Sequence, residues 1–146
     1  MRFYLIHLCF SIFAQQGLKT NNELMEVNYF ELIGETNLKQ LIKDFYIGVA
    51  SDDILRSMYP MHLEPAEERL YWFMQQFLGG PRVYDEQRGL PQLRKRHFPF
   101  TIDEKGRNRW IELMMKAVEK NPMDDFAKLY LRQYFNDTAT FLINRD

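Results

Sequence analysis

Six apolar side chains, Leu38, Leu41, Ile42, Phe45, Tyr46 and Val49, recur at i, i+3, i+4, i+7, i+8 and i+11. That spacing lines one face of an α-helix and fits no strand, where apolar residues alternate. A face this continuous must be buried, so the rest of the chain has to supply partners for it. Ser51-Asp52-Asp53 interrupts the helix, and a short segment from Ile54 to Met58 runs into Tyr59-Pro60. Pro65 suits a first helical position. From it Ala66, Leu70, Phe73, Met74 and Phe77 form a second face, which Gly79-Gly80-Pro81 stops. Residues 81 to 96 hold no sustained period and read as a long loop with one short helix before His97. Thr101-Ile102-Asp103-Glu104 has the form of a capping box. It opens a helix striped by Trp110, Leu113, Met114, Ala117 and Val118, which Asn121-Pro122 ends. A last helix, about 125 to 142, carries Phe126, Leu129, Tyr130, Tyr134, Thr138 and Phe141 at helical spacing. No strand alternation persists. The expectation is an all-α fold of two antiparallel helix pairs.

The length of 146 residues sets one domain as the default. A net charge of -1 provides no basic field to recruit nucleic acid. Arg82, Arg88, Arg94, Lys95 and Arg96 cluster, but no aromatic stacking platform interleaves with them. The lone Cys9 excludes an intrachain disulfide, and no Cys/His zinc spacing occurs. With only His7, His62 and His97 present, a metal site made of histidines alone is disfavoured. Phe3 to Ala14 is mostly apolar after Arg2, the length of a signal-peptide core and too short to span a bilayer. Ala14 would be the cleavage residue, with Ile12 a poor small-residue partner. The alternative is a start at Met25, with residues 1 to 24 a translated leader.

Twelve Phe and eight Tyr are more aromatic residues than a minimal helical core needs. Tyr46, Tyr59 and Trp110 put polar tips on apolar faces or at their ends, and each tip wants a hydrogen-bond partner. Burying one without a partner costs about 1–3 kcal/mol. Either the three share one polar ligand in an apolar pocket, or each finds a nearby carbonyl and serves only as core. His97 follows Arg94-Lys95-Arg96 and precedes Phe98-Pro99-Phe100. An imidazole between cations and aromatics suits a flat, apolar, dianionic ligand held through a metal, and haem is of that kind. Such a role needs a neutral imidazole whose other ring nitrogen is held by a carbonyl or carboxylate. Arg94 and Arg96 suit carboxylates. The alternative is a solvated histidine in a basic loop. His62, just before Glu64 and Pro65, reads as a surface residue of a loop leading into a helix, with a second metal ligand as the alternative.

From about Tyr29 to Asn144 the chain resembles the group II truncated haemoglobins, the short bacterial and plant globins. The segments that carry the resemblance are Asp44-Phe45-Tyr46, Met58-Tyr59-Pro60, Ala66-Glu67-Glu68-Arg69-Leu70, Gly79-Gly80-Pro81, Tyr84 to Gly89, Leu93 to Phe100 and Arg107-Asn108-Arg109-Trp110. Their order and spacing fit along the whole domain. The resemblance implies a two-over-two helical sandwich around haem b over residues 29–146. Residues 1–28 would be an extension, leader-like or disordered. It implies His97 as the proximal iron ligand and Tyr46, Tyr59 and Trp110 as distal donors to a bound ligand. Ala66 stands where vertebrate globins carry a distal histidine, which leaves the sixth position to oxygen or water. Leu70, Phe73 and Met74 match pocket-lining positions, Tyr84, Arg94 and Arg96 the propionate region, and Phe100 a haem contact. The implied function is binding of oxygen, NO or another diatomic at ferrous iron, with slow release. The alternative is an NO dioxygenase or a peroxidase-like enzyme fed by an external reductase. A haem-free helical interaction module with His97 on the surface is the reading from another class. A monomer or homodimer in the cytoplasm is expected, with no membrane or nucleic-acid partner, and export is the alternative if residues 3 to 14 act as a signal. Two positions depart from the family pattern. Gly34-Glu35 replaces a Gly-Gly pair at the end of the first short helix, and Leu90 replaces a histidine before Pro91.

Overall fold

In the computed structural model, which describes residues 19–20, 23–24 and 26–146, the apolar faces become helices that close on one another. The signal-peptide and leader readings of residues 1 to 24, with His7 and Cys9, lie outside the described residues. What is described there is a ladder of Lys19–Thr20 (β1) with Glu23–Leu24 (β2). A two-residue ladder is too short to register as alternation.

Helix α1, Tyr29–Ile33, is capped by Asn28, whose side-chain oxygen accepts from the Glu31 N–H at 3.2 Å. Gly34 then takes φ +84 and breaks the chain direction. Helix α2, Glu35–Ala50, starts directly after it. The glycine pair of the family is therefore served by one glycine, because only the first position needs the left-handed region. All six residues of the predicted α2 face are buried. The Asp52 carboxylate ends the helix by accepting from the N–H groups of Ile54 (3.0 Å) and Leu55 (2.8 Å). A 3₁₀ turn, Arg56–Met58, follows.

Helix α3 spans Glu64–Phe77, so Pro65 is its second residue rather than its first, where its missing N–H is equally harmless. Gly79 at φ +103 turns the chain away. Gly80 passes so close to the Gln75 carbonyl and the Phe30 ring that a Cβ would meet both at 2.8 Å. The stretch expected to be a loop with one helix holds two: α4, Val83–Arg88, and α5, Leu93–His97. Each is too short to show a period. Helix α4 is pinned instead by a reciprocal pair: Gln76 donates to the Asp85 carboxylate at 2.8 Å, and the Asp85 N–H donates back to the Gln76 amide oxygen at 3.0 Å.

Helix α6 spans Glu104–Lys120 and α7 spans Asp125–Phe141. The capping box does not form. The N-cap of α6 is Asp103, which accepts from Gly106 at 2.7 Å, while the Ile102 N–H is drawn out to Asn144 at 3.0 Å. That tie holds the backbone extended past Thr101, so the helix starts later. On α7 the buried side is Ala127, Leu131, Tyr134 and Phe135, whereas Phe126 and Leu129 of the expected face are exposed. Helix α2 packs on α3, α6 on α7, and α2 on α6 joins the two pairs. Among the described residues no helix is long and apolar enough to cross a membrane.

Candidate functional site

The two pairs do not meet everywhere. Between α2, α3, α5, α6 and α7 lies a largely apolar cavity of about 590 Å³. This is within the ~300–1,000 Å³ typical of cofactor and ligand sites. Its wall includes eleven of the twelve expected site residues: Tyr46, Tyr59, Ala66, Leu70, Phe73, Met74, Tyr84, Arg96, His97, Phe100 and Trp110. The twelfth, Arg94, is not in the wall; it is exposed, and its guanidinium lies 5.2 Å from the Phe141 ring centre. His62 is exposed and away from the cavity wall, and Leu90 is exposed at the loop before Pro91.

His97 is the last residue of α5, and its Nδ1 lies 2.6 Å from the Leu93 carbonyl one turn earlier. A carbonyl only accepts, so Nδ1 carries the proton and Nε2 keeps its lone pair. The segment after it is stapled from the C-terminal end of the domain. The Asn144 amide donates to the carbonyls of Phe100 at 2.8 Å and of His97 at 3.3 Å. Beside the imidazole, Arg96 donates to the Arg88 carbonyl at 2.8 Å and lies over the buried Tyr84 ring. The Nε–H groups of Arg88 and Arg96 are buried with no hydrogen-bond partner among the described residues. A buried unmet donor costs about 1–3 kcal/mol, and guanidinium N–H groups match carboxylates. Two orphaned donors beside an imidazole lone pair and an apolar wall fit the chemistry of haem: an iron, a flat ring and two carboxylates. Among the described residues no group of three His, Cys, Asp or Glu side chains is placed to hold a metal ion.

Another part of the wall carries the polar aromatics. The Trp110 indole N–H donates to the Tyr59 hydroxyl at 3.2 Å, and the Tyr46 ring packs edge-on against that of Tyr59, with ring centres 5.8 Å apart. Tyr59 is positioned by Arg56, whose guanidinium donates to the carbonyls of Pro60 (3.0 Å) and Met61 (2.7 Å). Burial pushes the Tyr59 phenol up to about 12, with the bonds from Trp110 and Tyr46 pulling the other way. Burial first, and then the neighbouring Tyr59, raises Tyr46 further. Both remain protonated donors at neutral pH.

Sequence reasoning missed Arg69, Arg88 and Arg107 in the wall, together with Tyr134 and Phe135. Helical spacing held the signal for two of the cations. Arg69 is three residues after Ala66 and four before Phe73, and Arg107 is three before Trp110. No spacing signal marked Arg88, which sits on the six-residue α4.

A two-over-two helical arrangement that presents an imidazole lone pair to an apolar cavity is that of a globin-type haem protein in its short form. A family model described as bacterial-like globin matches residues 28–144. A group 2 truncated hemoglobin of Bacillus subtilis, YjbI, is 34% identical over 116 residues, covering 80% of this chain and 88% of that one. Among solved structures, a hemoglobin from Chloroflexus aurantiacus is 37% identical with a TM-score of 0.80, covering 82% of this chain and all of its own. A truncated oxygen-avid haemoglobin from Bacillus subtilis is 33% identical with a TM-score of 0.77, covering 81% of this chain and 100% of its own. The chain belongs to the bacterial-like globins, and among them to the group II truncated haemoglobins, haem proteins that bind small gases.

Proposed function

We propose that the chain holds haem b with His97 Nε2 as the iron ligand, and retains oxygen, NO or another diatomic through Tyr46, Tyr59 and Trp110. The cluster of those three polar aromatics in the cavity wall, with Trp110 bonded to Tyr59 and Tyr46 packed edge-on to it, is the observation that carries this reading. Haem, when bound, would supply the iron that the His97 imidazole holds and that takes up the gas. The chain does the rest. Leu93 orients the imidazole, and Arg88 and Arg96 offer their unmet N–H groups to carboxylates. Ala66 puts only a methyl group into the wall, so no side chain competes for the gas. The Tyr59 oxygen accepts from Trp110 at 3.2 Å, and its own O–H is the donor offered to a bound gas. Preorganised donors in a largely apolar cavity are worth more than the same groups in water. The oxygen avidity of the Bacillus subtilis relative supports the same reading.

A hydrogen bond to a charged group contributes about 1.5–3 kcal/mol, and each 1.36 kcal/mol is tenfold in rate. Stopped-flow measurement on haem-loaded protein is expected to show slow oxygen release. Tyr59→Phe should release oxygen about tenfold faster or more, and equal rates in the two proteins would overturn the reading. The same hydroxyl pair favours a second reading, NO dioxygenation or peroxide reduction with electrons from an external reductase. Sustained NO consumption with a cellular reductant would support it.

A further inference from the structure

The aromatic rings of the core touch in series, and the series leads out of the cavity. Tyr134 and Phe73 both line the cavity, and both stack on Phe77, with ring centres 4.1 Å and 5.9 Å away. Phe77 is 6.5 Å from Tyr130, and Tyr130 lies flat on Tyr29 at 3.9 Å and 11°. Phe126 stacks on Tyr29 at 5.9 Å and is 48% exposed. Trp110 joins the same series through Phe135, which is 5.6 Å from Trp110 and 5.6 Å from Tyr134. Good packing explains aromatic rings at such distances, but it does not call for phenols at the far end. Tyrosine and tryptophan give up an electron far more readily than phenylalanine. They stand at both ends of the series, with Phe77 as the junction between them.

We propose that this series is an electron route, along which Tyr130 and Tyr29 supply electrons to peroxide held in the cavity, so that oxidising equivalents emerge at the α1–α7 surface. The proposal rests on the haem reading above. Hydrogen peroxide takes up two electrons and two protons, its O–O bond breaks, and two water molecules form. Each phenol that feeds it loses one electron and its hydroxyl proton and is left as a neutral phenoxyl radical. A phenol or hydroquinone outside the protein returns one hydrogen atom to each radical, so two one-electron oxidations of that donor balance one peroxide. Burial raises both phenols, Tyr130 to about 12, so each carries a proton at neutral pH that leaves with the electron.

The test uses haem-loaded protein, checked by its visible absorption band, mixed with one equivalent of hydrogen peroxide and a nitroso spin trap. Tandem mass spectrometry then locates the adducts. The expected result is adducts at Tyr130 and Tyr29 that are lost in Phe77→Leu, where Tyr134 and Trp110 carry them instead. The paired variant Tyr29→Phe with Tyr130→Phe keeps every ring of the stack. It should bind haem normally and lose peroxide-driven oxidation of an added hydroquinone. Adducts confined to Tyr46, Tyr59 or Tyr84 in the parent would overturn the route. So would an unchanged adduct map in Phe77→Leu, or full hydroquinone oxidation in the paired variant. A missing absorption band would instead overturn the haem reading, and the route with it.

Discussion

The phenol of Tyr59 is the centre of the polar cluster because its oxygen accepts from Trp110 at 3.2 Å and its ring meets that of Tyr46 edge-on at 5.8 Å. In that arrangement Trp110 acts in part by holding Tyr59. A double-mutant cycle on oxygen release separates the two roles. Trp110→Phe and Tyr59→Phe should each speed release. The double variant should fall short of their sum, with a coupling of about 0.5–3 kcal/mol. Strict additivity would mean that each residue contacts the gas by itself. His97 is of a different kind. Its tautomer is set within its own short helix by Leu93, four residues back, and its backbone by Asn144, 47 residues on.

Each helix terminus that positions the site is set by a single residue. Gly34 separates α1 from α2 at φ +84, in open space where a methyl group would clash with nothing. Gly34→Ala therefore measures backbone strain alone. The expected loss is about 1–2 kcal/mol, read as a lower Tm with the haem spectrum unchanged. Asp52 ends α2 and starts the 3₁₀ turn that leads to Tyr59. Its carboxyl is held below the usual range by the Leu55 N–H first, with Arg109 of α6 and the Ile54 N–H adding to it against the cost of burial. A carboxylate whose folded value is depressed stabilises the fold fully above its unfolded value and loses that contribution as pH falls through the folded one. Below about pH 4, the ordinary Asp value, the parent should lose Tm progressively as Asp52 takes up its proton. Asp52→Asn should start lower and show a shallower slope over the same range in calorimetric scans. An identical slope would show that other carboxylates govern acid unfolding.

The whole molecule is two helix pairs braced against a cavity that they do not fill. The Nε–H donors of Arg88 and Arg96 meet no partner among the described residues, so a cofactor that meets them stabilises the fold as well as serving function. Stripping the haem should lower Tm markedly, and re-addition should restore it. No change would detach the cavity from the fold's stability. The local parts of this design were legible in the chain. The period of Leu38 to Val49 marks a buried helix whatever lies against it, and His97 among cations and aromatics marks a site. Spacing also held Arg69 and Arg107, since residues three or four apart share a helix face. Other features depended on partners far away in sequence. Phe126 and Leu129 have helical spacing but lie on the exposed side of α7, and the cap of α6 moved to Asp103 because Asn144 draws Ile102 outward. Periodicity says that a face exists and is silent about what meets it. By itself the sequence determined the four long helices, the candidate imidazole of His97 and the kinds of polar tip available. Only the tertiary structure decided that Trp110 reaches Tyr59 across 51 residues. It also decided that Arg96 faces the cavity while Arg94 turns to Phe141, because hydrogen bonds and burial depend on distance in space, which a one-dimensional pattern does not contain.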